Sequence, residues 1–541
     1  MLRFTFWCLL TVFLVCVFAT QVSFHSSHVE CQPAALGDDD LGDWSFDTSP
    51  HPNSTDHLVF ETVHSLLQRW PNTRMRNGHA IVPGIIPKGT LLYHGTTSNV
   101  FPTMHEWFAT DPEHSYLFCG ISVEAECWLF TIATTRPLKV VYFDGSSAAK
   151  LQDGALDTQD LLLWGEPRGG TAKEDMQRIE DICKWGGKYK VDAFVRMQMD
   201  FEVMLCDPTS GVRVISSSNL VSPLTQWPQK ILLEVSAFEI MNAAAWHNRL
   251  PGETRVHLNL AGLVTFYDTQ LAPSLVPIRA GQERWDHRVQ GISSEDLSAT
   301  RTRLEEVLTR QEGLSSGIDW ASLIQVIVDR YAERLDSVQY LLSAPATNPD
   351  DVLDLANKTQ TQLRVMLTPY LPFSAAPTHP PDETELDWAT PVFRLCATTH
   401  TCSMDSELSF MTASEKLVLQ AVRGTTREIC RVVTKMWVAG VHAGIDPLLN
   451  TKEHFDVAKV AHLRNAWLED LNHLITWLDW SEWVKCNPAC DREEVCYLPT
   501  WPVGFPGGDK LGYVSTIFPP ITEEWIRPQP KCIRRVAPYG F

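Results

Sequence analysis

Between residues 81 and 216 the apolar side chains come in short runs rich in β-branched and aromatic residues, and from residue 319 onward they recur at the three-and-four spacing of a helix face. Strand runs at 90–93, 128–133, 138–143, 194–197, 201–206 and 212–215 are interrupted by one helical stretch, 172–185, ended by Gly186-Gly187. Strands without regular alternation with helices imply an α+β domain. A second, all-α region then follows it.

Other stretches fill in this plan. Leu58, Val63, Leu66, Leu67 and Trp70 lie at helical spacing, with Pro71 expected to stop the helix. Residues 232–246 read as helix, 255–268 as strands that finish or flank the sheet, and 296–310 as an exposed helix within a connector. In the second half Asp319 is placed to cap a helix carrying Trp320, Leu323, Ile324, Ile327, Tyr331, Leu335 and Val338. Thr412 with Glu415 has the form of a capping box opening a helix through Ile429, Val433 and Trp437; residues 457–477 add another, and the proline-rich 369–391 is a loop.

A chain of 541 residues exceeds what one core usually serves. The expected divisions are a signal peptide at 1–19, a mobile acidic arm at 20–57, the α+β domain at 58–225, a flanking region and connector at 226–316, the helical domain at 317–480 and a Cys/Pro/Trp-rich tail at 481–541. The apolar run 4–18 behind Arg3, followed by Ala19, suits cleavage in the secretory pathway; retained to residue 24 it is a single membrane anchor instead. Fourteen cysteines become twelve once Cys8 and Cys16 leave with the signal, an even set for disulfides in an oxidising compartment. Sequons at Asn53 and Asn357 agree with export. Tail cysteines Cys486, Cys490, Cys496 and Cys532 lack the paired CxxC units of a zinc site, so disulfides are expected there and no metal. Against 45 basic residues stand 65 acidic ones, a net charge of -20, which argues against nucleic acid as a partner.

No GxGxxG, Walker loop, HExxH or GxSxG occurs, which removes the commonest nucleotide-binding, zinc-protease and serine-hydrolase readings. What remains is three segments: Leu91-Leu92-Tyr93-His94-Gly95-Thr96, then Glu106-Trp107-Phe108-Ala109 with Ser115, Phe118 and Cys119, then Phe201-Glu202-Val203-Met204-Leu205-Cys206-Asp207. Glu202 stands in a strand-like run where an inward carboxylate needs a partner or a cleft.

These segments resemble the three signature strands of the poly(ADP-ribose)-polymerase-like ADP-ribosyltransferases, in the right order and over about 125 residues. The resemblance implies a split β-sheet domain that binds NAD and cleaves its nicotinamide-ribose bond. It gives His94 the ribose hydroxyls and Glu202 the orientation of the reacting ribose and stabilisation of its transition state. Gly95, in the His94-Gly95-Thr96 motif, would bind the nicotinamide amide with Ser115 assisting. Trp107 falls on the family's triad tyrosine, Phe118 on its stacking aromatic, and Tyr116 is an alternative pocket ring. The reading requires imidazole, carboxylate and two aromatic rings in one cleft. Two tyrosines are replaced and the interval from His94 to Trp107 is short, so two outcomes stand: a secreted or lumenal mono-ADP-ribosyltransferase or NAD glycohydrolase with an unspecified acceptor, or an inactive relative acting as a secreted or membrane-anchored interaction protein. The helical region and tail resemble segments of uncharacterised secreted fungal proteins.

Overall fold

The computed structural model describes residues 44–116, 118–119, 126–147, 154–168, 172–220, 238–239, 241–311, 313–372, 386–446, 456–499 and 527–536. The expected signal segment and residues 20–43 of the acidic arm lie outside them. The strands are β1 (Ala80–Ile86), β2 (Leu91–Thr96), β3 (Glu106–Ala109), β4 (Cys127–Thr134), β5 (Leu138–Phe143), β6 (Ala193–Met197), β7 (Phe201–Leu205), β8 (Val212–Leu220), β9 (His257–Leu258) and β10 (Val264–Thr265). They form one sheet in the order β10-β1-β5-β6-β7-β3-β2-β4-β8, with β9 also on β1. Only β5 and β6 run parallel; the other ladders are antiparallel. Every run expected as a strand is present.

The central strands are buried on both faces, which is why β6 and β7 read as unbroken apolar runs rather than alternating ones. On one face Val82, Leu92, Phe108, Val140, Val195 and Val203 share a core with the helices; on the other Ile81, Phe143, Phe194 and Met204 form a separate core. β1 was hidden by Pro83 and Gly84, residues that usually argue against a central strand. Pro83 fits because β10 pairs with Ala80 and Ile81 and β9 with Gly84 and Ile85, so its missing N–H falls between the two short neighbours.

The first face is covered by α1 (Asp56–Ser65), which lies between the sheet and the helical region and buries Leu58, Val59, Phe60 and Val63. It ends earlier than expected, at Ser65. Leu67 takes a positive φ, and Pro71 sits in the first turn of a new helix, α2 (Arg69–Arg74), where a missing N–H costs little. α3 (Pro112–Tyr116) follows β3, and the second face carries α4 (Asp157–Trp164), α5 (Ala172–Gly187), α6 (Leu275–Arg279) and α7 (Ser294–Thr309). α7, expected as an exposed helix, packs Leu297, Leu304, Val307 and Leu308 into that core; burial of such side chains is worth about 1.5–3 kcal/mol each. The stretch 232–246 lies mostly outside the described residues and ends in a 3-10 turn, Ala244–His247.

The helical region comprises α8 (Trp320–Ser343), α9 (Pro349–Leu367), α10 (Thr390–Thr398), α11 (Ala413–His442) and α12 (Val457–Leu478). Asp319 caps α8 and the Thr412–Glu415 capping box opens α11, both as the sequence implies. The apolar faces of these helices continue the sheet's first core without a break. The described part of the acidic arm is anchored on them: Trp44 and Phe46 pack on Phe393 at 5.0 and 5.3 Å between ring centres. In the tail, β11 (Glu494–Tyr497) pairs with β12 (Lys531–Arg534). Cys486–Cys496 and Cys490–Cys532 close it with disulfides, and Cys119–Cys127, Cys183–Cys206 and Cys396–Cys430 tie the rest. Such a framework is consistent with the secretory pathway. No helix among the described residues is long and apolar enough to cross a membrane.

Candidate functional site

Three of the strands carry the motif residues, and they are neighbours: β7, β3, β2. β3 pairs with β7 along its length and β2 with β4 along its length, but β2 meets β3 through a single pair, Tyr93 and Ala109. The sheet therefore divides here into two halves. Beyond Tyr93 the β2 edge has no strand partner on the β3 side, and its main-chain groups need others.

α3 fills part of that space. The Ser115 hydroxyl donates to the Tyr93 carbonyl at 2.7 Å, and a Cβ on Gly95 would stand 2.0 Å from the Ser115 carbonyl oxygen. Only glycine allows this close approach. His94 closes the gap from the other side: its Nδ1 lies 2.9 Å from the Trp107 carbonyl oxygen, and its ring is 5.2 Å from that of Phe108. A carbonyl only accepts, so Nδ1 carries the hydrogen, and in the neutral ring Nε2 is left as an acceptor. Thr96 pairs with Trp128 on β4, Tyr116 is half-buried, and Phe118 is 52% exposed just past α3, where Cys119–Cys127 joins this segment to β4.

Register decides which side chains can meet. Directly paired residues share a sheet face. Glu202 pairs with Ala109 and Ala109 with Tyr93, so Glu202, Ala109, Tyr93 and the α3-facing side of Gly95 lie on one face, together with Trp107. His94 lies on the other, with Leu92 and Phe108. Gly95, Ser115, Trp107 and Glu202 are thus gathered on one side, and the imidazole stands across the sheet from the carboxylate, so the single cleft expected to hold both does not form.

Glu202 is buried and held. The Nε of Arg196, its partner across the ladder, donates to it at 2.5 Å. Arg196 also reaches Asp175 of α5 at 3.2 Å, Asp175 lies 3.1 Å from Arg178, and Arg178 donates to Asp160 at 2.7 Å. Burial alone would lower the Arg196 pKa, but Asp175 and Glu202 overcome it and hold the guanidinium above its ordinary range. This network was readable in part: a charged residue inside the run Ala193–Met197 needs a partner just as Glu202 does.

A second buried cluster begins two residues before Glu202. Asp200 in the β6–β7 turn, Asp111 between β3 and α3, and His247 in the 3-10 turn Ala244–His247 bring their ligating atoms within 4.8 Å of one another. No local sequence signal marks them, because they meet only when the chain closes. A cavity of about 500 Å³ lies elsewhere, bounded by Thr55, His57, Tyr267, Arg279, Arg431 and Trp477, and none of the eight motif residues lines it.

Fold and site define a class: an α+β protein with a divided mixed sheet, a helical region sharing its core, and a disulfide-bonded tail. Residues 51–125 and 120–231, which carry β1 to β8, match the domain family described as YPL277C N-terminal domain. The chain is homologous to two Saccharomyces cerevisiae proteins. Uncharacterized protein YOR389W is 24% identical over 559 residues, covering 85% of this chain and 84% of its own, and uncharacterized protein YPL277C is 26% identical over 386 residues, covering 54% and 76%. None of these descriptions carries an activity, and no ADP-ribosyltransferase is among them.

Proposed function

We propose that this chain is an NAD-consuming enzyme of the secretory lumen or cell exterior, a mono-ADP-ribosyltransferase or NAD glycohydrolase. The observation that carries the reading is the parting of β2 from β3 at Gly95, which leaves a main-chain edge beside the face of Glu202 and Trp107. A nicotinamide amide offers one donor group and one acceptor, the complement of such an edge. A dinucleotide laid along the face of Glu202 and Trp107 does not reach His94, which stands on the opposite face bonded to the Trp107 carbonyl, so in this reading the imidazole holds β3 in place rather than the ribose. The C1′–N bond then breaks with its electron pair leaving on nicotinamide, and water or an acceptor nucleophile takes the ribose carbon. Glu202 faces the positive charge that develops on the sugar, while Trp107 and either Phe118 or Tyr116 wall the ring.

The test is nicotinamide release from NAD by the purified secreted protein. Wild type turns over, and Glu202→Gln, which keeps the shape and removes the charge, lowers kcat about a hundredfold or more. A wild-type protein that neither binds nor cleaves NAD ends this reading.

The bond from Arg196 to Glu202 favours a second reading, a catalytically inactive relative that serves as a secreted interaction protein. Under it the charge on Glu202 is committed to the fold, and neither NAD nor nicotinamide raises the unfolding temperature. A clear upward shift with either ligand counts against it.

A further inference from the structure

We infer that Asp111, Asp200 and His247 form a binding site for a divalent transition-metal cation, Zn²⁺ in the first place and Mn²⁺ as the alternative. The site does not depend on NAD being the substrate. Its geometry is that of a coordination sphere: Nε2 of His247 lies 3.2 Å from Oδ1 of Asp200 and 3.3 Å from Oδ2 of Asp111. Metal bonds of about 2.0–2.2 Å at tetrahedral angles separate neighbouring ligands by roughly 3.3–3.5 Å. One imidazole with two carboxylates suits Zn²⁺ or Mn²⁺, whereas Ca²⁺ and Mg²⁺ prefer oxygen donors alone.

The second observation is that part of the cluster is both buried and without a hydrogen-bond partner. His247 and Asp200 are 0% exposed, yet both ring nitrogens of His247 and Oδ2 of Asp200 have no hydrogen-bond partner. Asp200 Oδ1 accepts the Phe201 N–H at 2.7 Å, which fixes the carboxylate, and the Phe201 ring lies 5.3 Å from the imidazole and orients it. Asp111 is the least buried of the three.

Five ionisable groups meet here. Arg255 lies 3.2 Å from Asp111 and is itself held by Glu253, and Arg69 is directed to the Met199 carbonyl and the Asn248 side chain. Three carboxyl side chains and two guanidinium groups thus surround the site.

The experiment uses the full secreted chain, stripped with a chelator and then dialysed against ZnCl₂, MnCl₂ or CaCl₂ in turn. Metal content is read by plasma mass spectrometry and stability by thermal unfolding. We expect one equivalent of Zn²⁺ or Mn²⁺ retained and a higher unfolding temperature, with no comparable effect of Ca²⁺. Both effects disappear in Asp200→Asn and in His247→Gln. If His247→Gln does not fold, the near-isosteric Asp200→Asn carries the test. The inference is overturned if wild type keeps no metal and its unfolding is unmoved, the outcome of a proton shared by the two carboxyls. It is equally overturned if the metal effects persist in Asp200→Asn, since the ion then sits elsewhere.

Discussion

Two buried polar clusters sit two residues apart in the chain, one at Glu202 in β7 and one at Asp200 in the turn before it, and they are built on opposite terms. Around Glu202 every carboxylate has a guanidinium against it: Glu202, Arg196, Asp175, Arg178 and Asp160 alternate in sign at 2.5–3.2 Å. Around Asp200 two carboxyl groups and an imidazole face one another, with several atoms lacking a hydrogen-bond partner. The first cluster is complete within the chain. The second is not, and an incomplete buried cluster calls for something from outside. The difference warns against reading a buried carboxylate as catalytic because it is buried: Glu202 has an explanation in the fold, and Asp200 does not.

The largest effect is expected where a complete network is opened. Arg196→Met removes the cation that Glu202 and Asp175 share, leaving Asp175 with Arg178, and should cost about 3–5 kcal/mol in denaturant unfolding at pH 7. Adding Glu202→Met to that variant should recover part of the loss, since an apolar pair avoids the desolvation that the ions suffer. A cost below about 1 kcal/mol for Arg196→Met would mean that water reaches the network and that the contrast between the clusters is smaller than drawn.

That contrast also separates what was legible in the sequence from what was not. Strands such as 138–143 and 194–197 announce themselves because their β-branched and aromatic residues need two buried faces, and caps at Asp319 and Thr412 are local chemistry. The pairing of Glu202 with Arg196 is halfway: each demands a partner, but only the ladder says which. The division of His94 from Glu202 was out of reach, because it follows from one bridging pair between β2 and β3 that no residue type dictates. Asp111, Asp200 and His247 were silent for a related reason. Their spacing in the chain has no period, and they meet only through closure of the sheet against the 3-10 turn.

Acid should act next. His114 lies one turn beyond Asp111, with both ring nitrogens buried and unpartnered, and burial, then Arg69, push its pKa down to about 4 from the ordinary 6.5. Between those values the unfolded chain binds a proton that the folded chain refuses, so stability falls as pH drops through that window and is fully present above it. The folded-unfolded difference amounts to about 3 kcal/mol at most. His114→Phe should flatten that part of the pH profile while leaving the cost of Arg196→Met at pH 7 as it was. A profile unchanged by His114→Phe would show that other buried histidines carry the acid sensitivity.

The smallest effect is expected for Asp200→Asn in the chelated protein, and it distinguishes the clusters most directly. Burial, then the charge of Asp111, hold the Asp200 pKa well above the ordinary carboxylate range, so without a cation the folded form favours a neutral side chain there. Replacing it with a neutral amide of the same shape should move stability by less than about 1 kcal/mol. Glu202→Gln, by contrast, should lose about 1–2 kcal/mol, because it removes one side of a charge-assisted bond. The sign of the pH response follows the same logic. A raised carboxyl stabilises the fold below its unfolded value near 3.8, and this contribution is lost as pH rises through the folded one; Asp200→Asn abolishes that loss. With Zn²⁺ present the order reverses, since wild type gains stability with rising pH as the ligands deprotonate and the variant does not. If Asp200→Asn costs as much as Glu202→Gln in the absence of metal, Asp200 is an ionised structural partner like Glu202, and the two clusters are alike.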